Sequence, residues 1–212
     1  MTNVAWKTKP TDRFILRWIK VNLSSFITPR LTAWRWIAPW HITLTSAFLG
    51  CLAGLVFALG IAWLAGIIAA ASQVMDGVDG QYARLTGRVS KSGAFWDSVL
   101  DRYTDGAMVI GMAVYLIRLP FPLEQWLLVF TSALALVGSN LISYSSARAE
   151  TLGLDLGSPT LASKGTRSSA MILCAFFSFL WSGLPIIALF YLAIHPNGVV
   201  FFRLLKTLKP SV

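Results

Sequence analysis

Residues 76–105 read DGVDGQYARLTGRVSKSGAFWDSVLDRYTD, and this stretch decides how the rest of the chain is interpreted. The chain has nine acidic residues, and five of them lie here: Asp76, Asp79, Asp97, Asp101 and Asp105. Apolar sequence lies on both sides of the stretch. Ionisable groups at membrane depth are energetically costly and usually mark a functional site. We therefore expect these five carboxylates to serve the function of the protein.

The spacing of the aspartates predicts two acidic helix faces. Asp76 and Asp79 are three residues apart, and the other three follow one another at intervals of four. On helices, each set therefore lies on one face. Two such faces directed at each other would gather four or five carboxylates, which cannot all stay ionised without a cation. All-oxygen ligation favours Mg²⁺, Mn²⁺ or Ca²⁺ over zinc, so the sequence predicts a site for a hard divalent ion.

Small residues and an arginine extend the acidic stretch. Gly77 and Gly80 flank Asp79 and leave the backbone accessible to a ligand. Ala83 continues this small surface for another turn, and Arg84 adds a guanidinium suited to phosphate oxygens. A metal ion, a surface of small residues and an arginine together indicate a site for a diphosphate.

The composition is that of an integral membrane protein. Of the 212 residues, 56% are hydrophobic and only 13% are charged, and the mean hydropathy is +0.65. The formal net charge of +9 would suggest nucleic acid as the partner of a soluble protein. Here the basic residues border apolar segments, so membrane lipid head groups and phosphorylated substrates are the expected partners, and nucleic acid is not.

The apolar segments predict an all-α integral membrane bundle of six transmembrane helices. A bilayer core of about 30 Å needs about 20 residues in each span. The predicted spans cover residues 41–59, 61–85, 92–119, 123–146, 166–181 and the chain from 184 onward. Pro196 interrupts the last span, and whether that helix is continuous is left open. We divide the chain into an N-terminal segment, residues 1–38, and a six-span domain, residues 39–212.

The N-terminal segment predicts an amphipathic helix on the membrane surface. Apolar residues are expected to share one helical face with basic residues alongside: Phe14, Ile15, Trp18 and Ile19, with Arg13, Arg17 and Lys20. The helix is expected to break near Pro29.

The distribution of basic residues predicts the orientation. Six spans would place both termini, the 86–91 loop and the 147–165 segment on the same side of the membrane. That side would hold 17 of the 18 lysines and arginines, all except Arg118. Basic residues concentrate on the cytoplasmic side. We expect a multi-pass protein of the cytoplasmic membrane whose acidic site opens to the cytoplasm.

The acidic stretch resembles the signature of the CDP-alcohol phosphotransferase family. It matches that signature at all eight fixed positions: Asp76-x2-Asp79-Gly80-x2-Ala83-Arg84-x8-Gly93-x3-Asp97-x3-Asp101. The span pattern also resembles that family, which implies a six-span bundle preceded by a surface helix and a homodimeric assembly. The resemblance implies that an acceptor hydroxyl attacks the β-phosphorus of a CDP-alcohol and releases CMP, with Mg²⁺ or Mn²⁺ as cofactor.

The resemblance also implies a role for each signature residue. The metal-binding residues would be Asp76, Asp79 and Asp97, with Asp101 contacting a second ion and acting as the general base. The donor would be bound by Asp79, Gly80, Ala83, Arg84 and Gly93, the last by permitting close approach of the second and third spans. We expect a lipid-linked donor such as CDP-diacylglycerol, with an ether-lipid analogue or a soluble CDP-polyol as alternatives.

Three basic residues are expected to bind the acceptor: Arg148, Lys164 and Arg167. They could instead be simple membrane anchors, or they could form an anion pocket for an acceptor that carries a phosphate. The ARAE segment at residues 147–150 resembles the branch of the family that uses inositol phosphate. That branch usually has an arginine-rich pair where this chain has Lys164 and Arg167, so glycerol 3-phosphate remains a competing acceptor.

The acidic residues also permit other interpretations, which concern Asp105 and two other classes of membrane protein. Asp105 lies outside the signature, and hydrogen bonding to Arg102 or Tyr103 is favoured over metal binding. Membrane prenyltransferases also use Mg²⁺ and diphosphate, but they lack the DG-x2-AR element. A divalent-cation transporter would be expected to continue its acidic residues across the membrane, and none lies beyond Asp105 in the third predicted span.

Overall fold

The protein is a bundle of helices. The structure, a computed structural model, describes residues 17–34, 36–120, 123–157 and 160–208, and all regular secondary structure in these ranges is helical. A π-helical turn, Ile19–Ser24, leads into a short helix α1, Ser25–Thr32. Six longer helices follow: α2 (Pro39–Ala58), α3 (Ala62–Leu85), α4 (Lys91–Arg118), α5 (Gln125–Thr151), α6 (Lys164–Phe176) and α7 (Pro185–Thr207). The all-α prediction is confirmed.

The six longer helices correspond to the six predicted spans. The largest differences are in α5, which continues to Thr151, and in α6, which ends at Phe176 before a 3₁₀ turn, Phe177–Phe179. In the described part of the chain, three helices are long and apolar enough to cross a membrane: α2, α5 and α7. Helices α3 and α4 carry the acidic residues, and α6 has only 13 residues. Membrane crossing by all six helices therefore remains a prediction.

Small residues bring α2 and α4 into close contact. A Cβ atom added at Gly54 on α2 would lie 2.9 Å from the Cβ of Ala107 on α4, and one added at Gly111 would meet the Gly54 backbone. Side chains at these positions would force the helices apart, because the two backbones are in contact. This approach holds α4, which carries three of the aspartates, against α2.

The larger of two buried apolar clusters lies toward the end of the bundle away from the acidic residues. It includes Phe57 on α2, Met112 and Leu116 on α4, and Leu189 and Leu192 on α7, all 0–1% exposed. Phe57 and Tyr115 also make an edge contact, with ring centroids 5.3 Å apart. Polar and charged side chains concentrate at the opposite end, where α3 ends and α4 begins. The apolar cluster therefore fixes the positions of the helices relative to one another, and the candidate active site lies at the polar end of the bundle.

Helix α7 continues through Pro196 without interruption, which answers the question left open by the sequence. The side chain of Asn197 donates hydrogen bonds to the carbonyl of Ala193 at 2.7 Å and to the carbonyl of Leu134 on α5 at 2.9 Å. Proline has no N–H group and normally weakens a helix at that point. Here the neighbouring side chain adds hydrogen bonds within α7 and between α7 and α5.

The described part of the N-terminal segment packs on α3. The sequence predicts one apolar face for Trp18 and Ile19, but Ile19 is 3% exposed and Trp18 is 58% exposed. Consecutive helical residues point about 100° apart, so the two side chains face different surroundings. Lys20, predicted to lie beside that face, is buried as well. The predicted positions Arg13, Phe14 and Ile15 lie outside the described residues.

Candidate active site

Acidic side chains of α3 and α4 converge at one end of the bundle. One carboxylate oxygen from each of Asp76, Asp97 and Asp101 lies within 4.8 Å of the other two. The short connection at residues 86–90 turns the chain back, so the last turns of α3 face the first turns of α4. The three- and four-residue spacings keep the carboxylates on the facing sides. The structure thus brings together three of the four predicted metal ligands.

Asp79, the fourth predicted ligand, lies beside these three but does not belong to the group. It is 8% exposed. Asp79 and the three grouped aspartates line one small cavity, and Thr43 and Ser46 on α2 also line it. The hydroxyl of Thr43 donates to the Pro39 carbonyl at 3.2 Å, within α2. Ser46 and Ser72 exchange hydrogen bonds of 2.9 and 2.8 Å that join α2 to α3. Helix α2 therefore supplies a polar wall that the signature did not reveal.

The carboxylates of Asp76, Asp97 and Asp101 fit a hard divalent cation. All donor atoms are carboxylate oxygens, which Mg²⁺, Mn²⁺ and Ca²⁺ prefer. Oxygens on opposite sides of such an ion are about 4–5 Å apart, comparable to the 4.8 Å measured here. The side chains of Asp76 and Asp101 are 7% and 16% exposed, so their negative charges are only weakly screened by solvent. Small side-chain rotations would place these oxygens around one ion.

Two lysines hold the same carboxylates. Lys164, the first residue of α6, donates to Asp76 Oδ1 at 2.9 Å and to Asp101 Oδ1 at 2.7 Å. Lys20, in the N-terminal segment, lies 3.0 Å from Asp76 Oδ2. Both oxygens of Asp76 therefore have a lysine partner. Sequence reasoning missed Lys20, because no spacing rule links a lysine in the N-terminal segment to an aspartate 56 positions later.

Asp105 is paired with a buried arginine. Its Oδ2 atom accepts a hydrogen bond from Arg167 Nη2 on α6 at 3.2 Å, and the Arg167 side chain is 1% exposed. The predicted role of Asp105 as a hydrogen-bond partner fits this contact, although the partner is neither Arg102 nor Tyr103. Arg102 instead approaches Asp101 at 3.7 Å and hydrogen-bonds to Ser143 on α5. Asp105 therefore joins α4 to α6.

The residues predicted to bind the donor lie along α3 and at the start of α4. The guanidinium of Arg84 folds over Gly80, with Nη1 3.3 Å from the position a Cβ would take there, and Ala83 is half-buried beside them. At Gly93 the sequence predicts a close approach of two spans, and the structure differs. Among the described residues, a Cβ at Gly93 would meet only the hydroxyl of Ser90, which caps α4 by accepting from the Gly93 N–H at 3.0 Å.

A larger cavity with a basic lining adjoins the acidic group. It measures about 440 Å³, lies between α5, α6 and α7, and is lined by Lys164, Arg167 and Arg203, among others. Arg203 donates to the Ile142 carbonyl at 2.9 Å and to the hydroxyls of Ser145 and Ser146. Two of the three predicted acceptor residues thus line one cavity.

Arg148, the third predicted acceptor residue, is exposed on α5 and is not among the described residues that line this cavity. Sequence reasoning missed Arg203, because it lies near the end of the last predicted span together with Lys206, where basic residues are typical membrane anchors.

Comparison with known proteins agrees with the signature. The sequence pattern of the family described as CDP-alcohol phosphatidyltransferase matches residues 36–202. The chain belongs to this family. The matched range contains the acidic group and two of the basic residues of the larger cavity, Lys164 and Arg167, and it ends one residue before Arg203. The protein is therefore an enzyme that transfers a substituted phosphate group, and the transporter and prenyltransferase alternatives are set aside.

Relatives of this chain include enzymes named as inositol phosphate synthases. The archaetidylinositol phosphate synthase of Pyrococcus horikoshii is 34% identical over 72% of this chain and 77% of that protein. The bifunctional IPC transferase and DIPP synthase of Thermococcus kodakarensis is also 34% identical, over 65% of this chain. The match spans only 30% of that bifunctional protein. The predicted relationship of this chain to the inositol-phosphate branch of the family is confirmed.

A solved structure shares the fold. The phosphatidylinositol phosphate synthase of Mycobacterium tuberculosis, crystallised with CDP-DAG bound, superposes with a TM-score of 0.73 and is 25% identical. The superposition covers 86% of this chain and 92% of that protein. The same enzyme has been crystallised in complex with manganese and citrate, and that form superposes with a TM-score of 0.74.

Proposed function

We propose that this enzyme transfers a phosphatidyl-type group from a CDP-linked lipid, such as CDP-diacylglycerol, to a hydroxyl of a phosphorylated polyol, and releases CMP. Inositol phosphate is the first candidate for the acceptor. One observation carries the proposal: Lys164 bonds two of the three carboxylates that fit a divalent cation, and it also lines a cavity of about 440 Å³ whose charged lining residues are Lys164, Arg167, Arg203 and Glu150. Metal and diphosphate chemistry on one side thus adjoins a site for a second anion on the other.

The acidic residues provide the donor side of the reaction. Asp76, Asp97 and Asp101, with Asp79 beside them, would hold Mg²⁺ or Mn²⁺. When bound, such an ion neutralises the diphosphate and stabilises the charge that develops on the leaving group. Arg84, folded over Gly80, is placed to bind a phosphate oxygen along the small-residue surface of α3. Its guanidinium would orient the CDP group for attack.

The proton and the leaving group can be followed explicitly. The acceptor hydroxyl oxygen forms a bond to the β-phosphorus of the donor, and the bond from that phosphorus to the bridging oxygen breaks. CMP leaves with the bonding electrons. Asp101 takes the proton of the attacking hydroxyl. Asp101 Oδ1 accepts a hydrogen bond from Lys164, which lines the larger cavity, and this contact supports a role for Asp101 between the metal site and the acceptor.

The basic cavity supports an acceptor that already carries a phosphate. Arg203 and Arg167 lie on α7 and α6, and Lys164 lies at the wall shared with the acidic group. Guanidinium groups bind phosphate through paired hydrogen bonds. An acceptor without a phosphate, such as serine or free inositol, would form none of these paired hydrogen bonds. We therefore expect phosphorylated acceptors to be preferred.

Membrane insertion completes the proposal. We infer six spans with both termini and the active site on the cytoplasmic side, a location in the cytoplasmic membrane, and a homodimeric assembly. The three long apolar helices and the exposed aromatic residues Trp18, Phe26, Trp36 and Trp40 support contact with lipid. Exposed apolar side chains at the start of α4, Phe95 and Trp96, adjoin Asp97 and support a lipid-linked donor.

The test is CMP release by the purified enzyme with Mg²⁺ and CDP-diacylglycerol. Inositol 1-phosphate, glycerol 3-phosphate, serine and free inositol are compared as acceptors, each at saturating donor concentration. Release with inositol 1-phosphate alone supports the proposal in full, and release with glycerol 3-phosphate alone replaces the acceptor. Release only with serine or free inositol contradicts the role given to the basic cavity. No release with any acceptor overturns the proposed donor.

A further inference from the structure

Lys164 belongs to both halves of the site at once. Its ammonium group bridges Asp76 Oδ1 and Asp101 Oδ1 at 2.9 and 2.7 Å, and its side chain also lines the basic cavity. These two aspartates are also two of the three residues that fit a divalent cation. Lys164 therefore contacts two members of the acidic group and lines the cavity as well.

A divalent cation and the Lys164 ammonium compete for the same oxygens. An ion bound between Asp76 and Asp101 would lie close to the present position of Nζ, and two positive charges at that distance repel each other strongly. Asp76 cannot offer its other oxygen as an easy alternative, because Lys20 holds Oδ2 at 3.0 Å. Lys20 is paired with Oδ2 of Asp76 and can stay, whereas Lys164, which lies between Asp76 and Asp101, has to leave.

The basic cavity is the place to which Lys164 can move. Lys164 is the first residue of α6, where no earlier helical turn restricts its side chain, and its stem is flexible. The two arginines of the cavity are bonded to groups outside the metal site. Arg167 is paired with Asp105 and donates to the Ala162 carbonyl, and Arg203 is bonded to α5. A lysine at position 164 is therefore the mobile cation of the cavity.

We propose that Lys164 is a positioning residue with two positions, and that it couples the metal site to the acceptor site. It neutralises Asp76 and Asp101 in one position, and it joins Arg203 and Arg167 around an acceptor phosphate in the other. Its departure also frees Asp101 to accept the proton of the acceptor hydroxyl. Divalent cation and phosphorylated acceptor then bind with positive cooperativity. This inference rests on the proposed function, since it names the acceptor phosphate as the second ligand.

Equilibrium binding tests the coupling without turnover. The full chain is held in detergent without a CDP-lipid donor, Mn²⁺ binding is followed by electron paramagnetic resonance, and inositol 1-phosphate binding is followed by calorimetry. We expect saturating Mn²⁺ to lower the Kd for inositol 1-phosphate about tenfold, within the usual range of coupling between two sites. Inositol 1-phosphate must lower the Kd for Mn²⁺ by the same factor, because such coupling is reciprocal.

Substitution of Lys164 gives the decisive result. In Lys164→Met the competing cation is gone, so Mn²⁺ should bind several-fold more tightly than to the wild type when no phosphate is present. Inositol 1-phosphate should bind more weakly, and the coupling factor should fall to near one. Lys164→Gln serves as a second variant with a polar side chain of similar reach. A merely structural role for Lys164 would loosen the site and weaken Mn²⁺ binding in both variants.

Arg203→Met is the matched control. It removes a cation of the same cavity that does not contact the acidic group, so phosphate binding should weaken while Mn²⁺ affinity and the coupling factor stay unchanged. The inference is overturned if Lys164→Met binds Mn²⁺ no more tightly than the wild type, or if its coupling persists. If the wild type releases CMP but shows no coupling, only this inference is contradicted and the proposed function stands. If the wild type shows the coupling but releases no CMP, the proposed donor reaction is contradicted and the coupling stands.

Discussion

The two halves of the candidate active site differ in how the chain builds them. The acidic half comes from α3 and α4, two consecutive helices joined by the short connection at residues 86–90. The basic half comes from α5, α6 and α7, with contributions from Ser146, Lys164 and Arg203 that are far apart in the sequence. One half is thus local in sequence, and the other exists only after the bundle has packed.

This difference explains why the residues of the acidic half can be predicted from the sequence and some residues of the basic half cannot. Residues three or four positions apart lie on one face of a helix whatever the surrounding fold. The acidic group therefore follows from spacing once both segments are helical. A cation on α7 reaches the cavity only through the crossing of α5 and α7, and no spacing rule encodes that crossing. The following predictions test the two halves separately, beginning with the largest expected effect.

Replacing Asp101 by Asn should nearly abolish turnover. The amide cannot accept the proton of the attacking hydroxyl, and loss of a general base typically costs about 10²–10⁴-fold in rate. CMP release measured at saturating donor and acceptor should fall by about this factor, while binding of CDP in the presence of Mg²⁺ should be largely preserved. Asp155→Asn is the control, because Asp155 is exposed and its carboxylate only accepts from the Gly157 N–H in a loop. Near-normal turnover of Asp101→Asn would show that another group takes the proton.

Replacing Arg167 by Met should destabilise the bundle more than it affects any single substrate. Asp105 is 6% exposed and would be left as an unpaired buried charge. Removing one partner of such a pair costs about 3–5 kcal/mol. Thermal unfolding in detergent should shift downward by several degrees, and adding Asp105→Asn to Arg167→Met should recover much of the loss. An unchanged unfolding temperature in the single variant would show that the pair does not hold α4 to α6.

The sequence was sufficient for the helices and for the acidic group. The apolar segments located all six long helices, and the aspartate spacing placed Asp76, Asp97 and Asp101 together. It was insufficient wherever a contact depends on how distant segments pack. The pairing of Asp105 with α6, the exposure of Arg148 and the position of Arg203 are of this kind.

Replacing Arg203 by Met should weaken use of the acceptor and leave use of the donor intact. A hydrogen bond to a charged group contributes about 1.5–3 kcal/mol, which corresponds to about a 10- to 100-fold increase in the KM for the phosphorylated acceptor. The KM for CDP-diacylglycerol should change little, because Arg203 contacts α5 and not the acidic group. Lys206→Met is the control, since Lys206 is exposed and binds the Asp155 carbonyl on the surface. Equal changes in both KM values would contradict the division into two halves.

The acidic half is not entirely local, because the N-terminal segment also reaches it. Gln81 on α3 donates to the Lys20 carbonyl at 2.9 Å and accepts from the Thr28 hydroxyl at 2.8 Å. Ser24 donates to the Val74 carbonyl at 2.8 Å. These bonds hold Lys20 at Asp76, so the segment contributes to the electrostatics of the acidic group as well as to its packing.

Replacing Gly77 by Ala should release this segment, because the segment lies against the bare backbone of α3. A Cβ at Gly77 would lie 2.9 Å from Lys20 Cγ and would also collide with the Ser24 side chain. Such crowding costs about 1–3 kcal/mol, more than the roughly 1 kcal/mol that Ala gains over Gly in a helix. Gly106→Ala is the matched control, since its Cβ would meet only Leu136 Cδ1, at an ordinary 3.5 Å. We expect proteolysis or hydrogen exchange to show a loosened N-terminal segment in Gly77→Ala and normal protection in Gly106→Ala. Equal protection in the two variants would mean that the acidic half depends on α3 and α4 alone, and the contrast between the local and the assembled half would then be complete.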